Sequence, residues 1–279
     1  MAADSREFIA GSLLVGAMWW YSASVFFPVR MLKRLGIPMS SEIVGKPPPP
    51  FNGRGLGVFF STRPRKLVLL RRRRNGEHPG QDFDPLAHLY ADLVRPFSAP
   101  IFEEAMTVMS DYLPKDARVM DAGCGPGLEL QEMASVVPRG EVVGVDVSAG
   151  MVKEAYDRAR VNAIANCAFF QADVSRLPRL FYGKFDMVYS CLAHHHYQDP
   201  AGAAGSVIRC LRPGGTYCII DPGPSWYNTL SSPLASLADP GWVGFHSPDE
   251  FRSLLENAGF RSTCWFELLP GFGIAVGQK

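Results

Sequence analysis

The stretch Val119-Met120-Asp121-Ala122-Gly123-Cys124-Gly125-Pro126-Gly127 constrains this chain more than any other segment. An apolar strand ends on an acidic residue, three glycines alternate through a turn, and a helical pattern opens near Leu128. Glycines let backbone approach a ligand closely, and a helix start offers unpaired N–H groups to a polar ligand. The spacing is G-x-G-x-G, with Leu128 where a dinucleotide fingerprint has its last glycine, which disfavours NAD and FAD. Such a loop taken alone is equally a plain strand-to-helix turn, so its meaning depends on its surroundings.

From about residue 82 short apolar runs alternate with helical stretches, the pattern of an α/β domain with a mostly parallel sheet. Strands are expected at residues 118–121, 141–146, 168–172, 185–191, 216–221, 262–268 and 272–278. One helix is sharply marked: Ser247 as N-cap, Pro248 at the first position, Glu250 completing a capping box, and Gly259 beyond the end. Only Leu269, Pro270 and Gly271 separate the last two strands, too few for a crossover helix, so these strands form an antiparallel hairpin. The expected fold class is α/β, a Rossmann-like seven-stranded mostly parallel sheet with an antiparallel terminal hairpin, over residues 82–279.

Two segments precede this domain. Residues 8–29 run for 22 positions without a charge, enough at about 1.5 Å per residue to cover a hydrocarbon core of roughly 30 Å. Asp4, Arg6 and Glu7 ahead of the run do not make the basic start of a secretory signal, whereas Arg30, Lys33 and Arg34 follow it. By the positive-inside rule the rest of the chain lies on the cytoplasmic side. Residues 1–34 are therefore read as an N-terminal membrane-anchoring helix, either spanning or lying in the interface with Trp19, Trp20 and Tyr21 at headgroup depth. Residues 35–81 are read as a basic Pro/Arg-rich linker, in which Pro47 to Pro50 cannot continue a helix and Arg71 to Arg74 follow an apolar tetrad. Between Arg30 and His78 twelve Lys or Arg stand against two acidic residues, although the whole chain carries only +1. The remainder is thus net acidic, which argues against nucleic acid as a partner and for contact between the basic segment and a membrane. The six cysteines include no C-x-x-C pair and lie mostly in apolar runs, as reduced thiols in a reducing compartment do.

Further motifs follow the glycine loop in order. Asp146 lies in VVGVDVS, Asp173 lies in FQADV, and Arg212-Pro213-Gly214-Gly215 precedes the fifth strand. Together they make most of residues 83–279 similar to the class I S-adenosylmethionine (SAM) dependent methyltransferases, a family that also reverses its seventh strand. The resemblance implies SAM as cofactor, with Asp146 accepting hydrogen bonds from the two ribose hydroxyls and Asp173 recognising the adenine amino group. It carries the cofactor site onto Asp121, Gly123, Cys124, Gly125, Gly127, Asp146, Val147, Met151, Asp173, Val174 and Cys191. Each carboxylate taken alone also suits a helix cap or a surface charge, and Met151 also suits a buried core. Within the family, FDPLAHLYAD at 83–92 and LPGFGIAVG at 269–277 look like the ubiquinone and menaquinone C-methyltransferases. Those enzymes carry an Arg-Asn pair where this chain has Ala193 and His194.

In this fold the loop after the fourth strand faces the methyl group, and here it reads Ser190-Cys191-Leu192-Ala193-His194-His195-His196-Tyr197-Gln198-Asp199. Methyl transfer from a sulfonium needs a positioned acceptor and, where the acceptor holds a proton, a base. His194 and His195 are the catalytic candidates, a structural or exposed loop histidine being the alternative reading. No metal is expected, because adjacent histidines point in different directions and no paired acidic ligands accompany them. The loop lacks the Asn/Asp-Pro-Pro-aromatic motif of nucleic-acid amine methylation and the strand-ending acid of metal-dependent catechol methylation. Residues 222–246 form a long insert rich in Trp, Leu and Pro, suited to a lid. Tyr90, His196, Trp226, Trp242, Phe245 and His246 are candidate acceptor contacts. The expected function is a membrane-anchored methyltransferase acting on a lipophilic small molecule or lipid, quinone-like, sterol-like or prenylated. A SAM-binding scaffold without transfer activity is the first alternative, and an NAD-dependent oxidoreductase, disfavoured by the glycine spacing and the hairpin, the second.

Overall fold

The computed structural model describes residues 67–68, 87–223 and 244–279. Its strands are β1 (Leu67–Val68), β2 (Arg118–Ala122), β3 (Glu141–Asp146), β4 (Cys167–Gln171), β5 (Phe185–Cys191), β6 (Leu211–Pro222), β7 (Arg261–Leu269) and β8 (Phe272–Gln278). They form one sheet in the order β1-β4-β3-β2-β5-β6-β8-β7. All neighbours are parallel except β6 with β8 and β8 with β7, so the terminal hairpin is antiparallel as its short turn requires. The helices are α1 (Ala87–Met109), α2 (Leu130–Val136), α3 (Ala149–Val161), α4 (Pro200–Cys210) and α5 (Pro248–Asn257).

Strands covered on both faces are apolar throughout rather than alternating, which is why the central ones were readable. In β2 four of five residues are buried, and in β5 six of seven. Successive side chains then enter opposite cores. Val119, Val142, Phe169 and Tyr189 pack with α1, α2 and α3 through Phe102, Leu130, Met133 and Val152. Met120, Val143, Val188 and Ile219 pack on the other face with Val207 of α4 and Phe251 and Leu255 of α5. Helix α5 starts as its sequence dictates: the Ser247 hydroxyl accepts from Glu250 N, and the Glu250 carboxylate accepts from Ser247 N. Gly259 follows it with φ of +95°, a conformation that ends helices.

Three readings change. The sheet has eight strands among the described residues, because Leu67 and Val68, assigned above to a linker, pair in parallel with Phe169 and Phe170 of β4. Half of the apolar tetrad at 67–70 is therefore edge strand, joining residues of the basic segment to the domain. β6 starts earlier than expected, and its pairing with β5 jumps from Phe185↔Leu211 to Met187↔Thr216, so that the Arg-Pro-Gly-Gly turn bulges out within the strand. The helix over the glycine loop begins at Leu130, two residues later than the pattern predicts. The apolar run at 8–29 and the Arg cluster at 71–74 lie outside the described residues. Among the described residues no helix is long and apolar enough to cross a membrane.

Candidate active site

The chain runs outward from β2 through β3 to β4, then returns to β5 on the other side of β2 and runs outward again through β6. Neighbouring crossovers leave the carboxyl ends of β2 and β5 in opposite directions, which opens a crevice between them where ligands of such sheets bind. A cavity of about 300 Å³ lies there. One wall is Gly123, Cys124, Gly125 and Pro126 of the glycine loop with Leu128 and Glu129, and a second is Asp146, Val147, Met151, Asp173 and Val174. The opposite wall is Cys191, Leu192, Ala193, His196 and Tyr197 after β5, and Val94 and Ser98 of α1 close one side.

Backbone geometry explains the glycine loop. Gly123 has φ of +78°, and a Cβ there would stand 2.6 Å from the Ala193 Cβ, so the two loops touch only because residue 123 has no side chain. Gly125 N donates to Asp146 Oδ2 at 2.9 Å, and Ser148 N donates to Asp146 Oδ1 at 2.8 Å. Asp146 is thereby held rigidly at the end of β3, its carboxylate tying the glycine loop to the start of α3. Ser148 in turn caps α3 by accepting from Met151 N at 3.1 Å, which sets the Met151 side chain against the cavity. Asp173 Oδ1 accepts from Ser175 N at 2.9 Å and from Ser175 Oγ at 2.8 Å, capping a short 3-10 turn at Val174–Arg176 while lining the cavity. Cap and cavity wall are here one residue, not alternatives.

Several predicted site residues fall elsewhere. Asp121 is 2% exposed, off the cavity wall, and accepts from Tyr189 Oη at 2.8 Å. Burial first, then the Glu129 charge, holds its carboxyl well above the usual carboxylate range. It supports the glycine loop from beneath. Gly127 is also off the wall, packed against Ala155 of α3. His194, taken above as a base, is 1% exposed with neither ring nitrogen hydrogen-bonded, and its ring packs against Tyr197, His246 and Phe251. Burial pushes its pKa down from 6.5 to about 4. Its ring belongs to this aromatic cluster and it does not line the cavity, so the structure places His194 as a packing residue where the sequence suggested a base. His246 belongs to that same aromatic cluster, and neither it nor Phe245 lines the cavity. Trp226, Trp242 and the Tyr90 side chain lie outside what is described. Gly123, Cys124, Gly125, Asp146, Val147, Met151, Asp173, Val174, Cys191 and His196 all line the cavity.

The burial of His194 has a measurable consequence. Below about pH 6.5 the unfolded chain takes up a proton that the folded chain refuses until about pH 4. Stability is thus intact above the higher value and falls as pH drops through that window, by up to about 3 kcal/mol. Replacing His194 by Phe is expected to remove this acid-side loss, so that the melting-temperature gain of the variant over wild type grows between pH 7.5 and 4.5. A difference that stays constant with pH would contradict the assignment.

Tyr197 was not anticipated. Its Oη donates to Ala122 O at 2.8 Å and lies 3.1 Å from Ser190 Oγ, pinning the loop after β5 to the end of β2. Glu129, directly after the glycine turn, also lines the cavity, and burial raises its carboxyl above the ordinary value. Its one sequence signal was an acidic residue in the first turn after three glycines. His195 Nδ1 stands 2.8 Å from Asp221 Oδ1 at the end of β6, both residues buried.

A sheet of this order with a reversed last strand, a G-x-G-x-G turn at its switch point and an acid at the end of the next strand defines the Rossmann-like methyltransferase class. A family model described as a methyltransferase domain matches residues 113–259 of 279, more than half of the chain. The chain belongs to that family, of the class I SAM-dependent kind, and its cofactor is SAM. It is similar to a malonyl-[acyl-carrier protein] O-methyltransferase of Dechloromonas aromatica, 29% identical over 172 residues, 58% of this chain and 62% of that one. It is also similar to a ubiquinone/menaquinone biosynthesis C-methyltransferase of Ectopseudomonas mendocina, 32% identical over 149 residues, 50% of this chain and 57% of that one. The fold matches a crystal structure of a SAM-dependent methyltransferase from Aquifex aeolicus with a TM-score of 0.56 and 20% identity, over 70% of this chain and 97% of that one. The chain spans about half the length of the curated relatives it matches. Quinone methyltransferases are thus one of several groups at comparable distance.

Proposed function

We propose that this chain transfers the methyl group of SAM to a lipophilic small molecule or lipid, quinone-like, sterol-like or prenylated, at a membrane to which its N-terminal segment binds. The observation that carries the reading is the cavity itself, which joins a nucleoside-type wall to a wall of Leu192, Ala193 and Tyr197. The residues present fit the cofactor. A Cβ built on Gly125 meets nothing within 4 Å, so the loop leaves open space beside its backbone. A carboxylate offers about four lone-pair sites, and the Asp146 carboxylate, oriented by two backbone N–H groups, suits a ribose diol. Asp173 suits the adenine amino group, Val147, Met151 and Val174 suit the faces of the base, and Glu129 suits the ammonium group. Bound there, SAM supplies an electrophilic methyl on a cationic sulfur. The protein's part is to orient the acceptor against it and to exclude water.

The lipophilic acceptor is supported by the uncharged run at 8–29 and by the Trp- and Leu-rich insert at 222–246. Incubating the full chain and methyl-labelled SAM with extracted membrane lipids is expected to give a labelled lipid-soluble product and an equal amount of S-adenosylhomocysteine. Label confined to a water-soluble product would overturn the acceptor class, and SAM binding with no transfer to any fraction would favour the scaffold reading. Deleting residues 1–34 is expected to move the protein from the membrane pellet to the soluble fraction. Unchanged fractionation would remove the anchor.

A further inference from the structure

One buried hydroxyl on the cavity wall is left open by the fold. Ser98, in the middle of α1, is 2% exposed and lines the cavity one turn after Val94, on the same face of the helix. Its Oγ makes no hydrogen bond among the described residues, not even to the carbonyl one turn back that a helical serine can use. A buried hydroxyl without a partner is costly, and alanine would occupy the same helical position without that cost. Beside it stands Glu129. Burial raises the Glu129 carboxyl, and Ser98 is foremost among the groups that lower it again, so the hydroxyl lies near the carboxylate without completing a hydrogen bond.

In the order Asp173, Asp146, Glu129, the wall suits an adenine amino group, a ribose and an ammonium group. The amino-acid end of SAM also carries a carboxylate, which Glu129 repels and to which a hydroxyl can donate. The other side-chain donors on the wall are placed or engaged elsewhere. Ser175 and Arg176 adjoin Asp173, Tyr197 Oη donates to Ala122 O, and His196 and Gln198 belong to the loop after β5. Arg95, also on α1, is exposed and off the cavity wall.

We propose that Ser98 binds the carboxylate at the amino-acid end of SAM while Glu129 takes the ammonium group, which makes α1 a functional wall of the cofactor site. The inference rests on the SAM reading above. The Ser98 hydroxyl donates to a carboxylate oxygen, so the polar group left open in the unliganded fold is satisfied by the ligand. Ser98 thereby favours binding and disfavours the empty fold.

Calorimetric titration of the full chain compares SAM with decarboxylated SAM, which keeps the sulfonium and the ammonium and lacks the carboxylate. Ser98→Ala is expected to weaken SAM about tenfold and to leave the affinity for decarboxylated SAM within about twofold of wild type. Glu129→Gln is expected to weaken both ligands. Without ligand, Ser98→Ala is expected to melt about 2–4 °C above wild type, the reverse of what a serine that holds the fold would give. Ser98→Cys, with only a weak donor in nearly the same space, is the second variant and is expected to show the same selective loss. Equal losses for both ligands, unchanged SAM affinity, or a lower melting temperature for unliganded Ser98→Ala overturns the proposal. Binding of SAM by wild type in those cases leaves the transferase reading standing, whereas wild type that binds neither ligand brings down that reading and this proposal with it.

Discussion

Replacing Asp146 by Ala is expected to weaken SAM binding by at least a hundredfold. The carboxylate has two tasks at the end of β3: it would receive the ribose hydroxyls, and it accepts from Gly125 N and Ser148 N at 2.9 and 2.8 Å. Hydrogen bonds to a charged group contribute about 1.5–3 kcal/mol each, and a tenfold change in affinity corresponds to about 1.4 kcal/mol. Losing two such bonds to ribose reaches the hundredfold mark before any loosening of the glycine loop is counted. Asp146→Asn keeps one acceptor and much of the shape, so a smaller loss, about tenfold, is expected from it. Asp146 is not part of either apolar core, and the Ala variant is expected to fold. Calorimetric titration with SAM checks the prediction; affinity within threefold of wild type would contradict the ribose assignment.

Gly123→Ala carries the second large effect, and it acts on stability and binding together. The left-handed backbone conformation at φ of +78° costs a non-glycine residue roughly 1–2 kcal/mol. The new Cβ would also stand 2.6 Å from the Ala193 Cβ, forcing apart the glycine loop and the loop after β5, an overpacking cost of about 1–3 kcal/mol. Together these predict a loss of about 2–5 kcal/mol, or roughly 5–15 °C in melting temperature for a domain of this size. Gly183→Ala is the matched control. Its φ of +64° imposes the backbone strain, but a Cβ there meets nothing within 4 Å. It is expected to lose less stability and to bind SAM normally. Equal losses in the two variants, by thermal melts and SAM titration, would show that loop contact at residue 193 does not matter.

Most of the sheet was legible because its order follows from rules that act locally. Strands buried on both faces stay apolar along their length, a Ser-Pro-x-Glu start writes a capping box, and a three-residue link permits only a hairpin. The cofactor wall was legible for the same reason, since Gly123, Gly125 and Asp146 sit at strand ends whose positions those rules determine. What was not legible depends on packing between distant segments. Helix α1 contains Pro96 and Pro100, which break the helical pattern on paper although its buried face, with Ile101, Phe102 and Ala105, secures it in the fold. Leu67 and Val68 become strand only because β4 presents an unpaired edge. The three histidines at 194–196 show the limit most clearly. Three consecutive residues of one type face an aromatic core, a buried carboxylate and a cavity in turn, and only the 3-10 turn at His194–His196 decides which goes where.

SAM is assigned to the crevice between the carboxyl ends of β2 and β5. Calorimetric titration of the full chain with SAM, and separately with NADH, tests this most directly. Saturable binding of SAM, lost in Asp146→Ala, with no measurable heat from NADH, is the expected outcome. No binding of SAM, or tight binding of NADH at the same glycine loop, would contradict it.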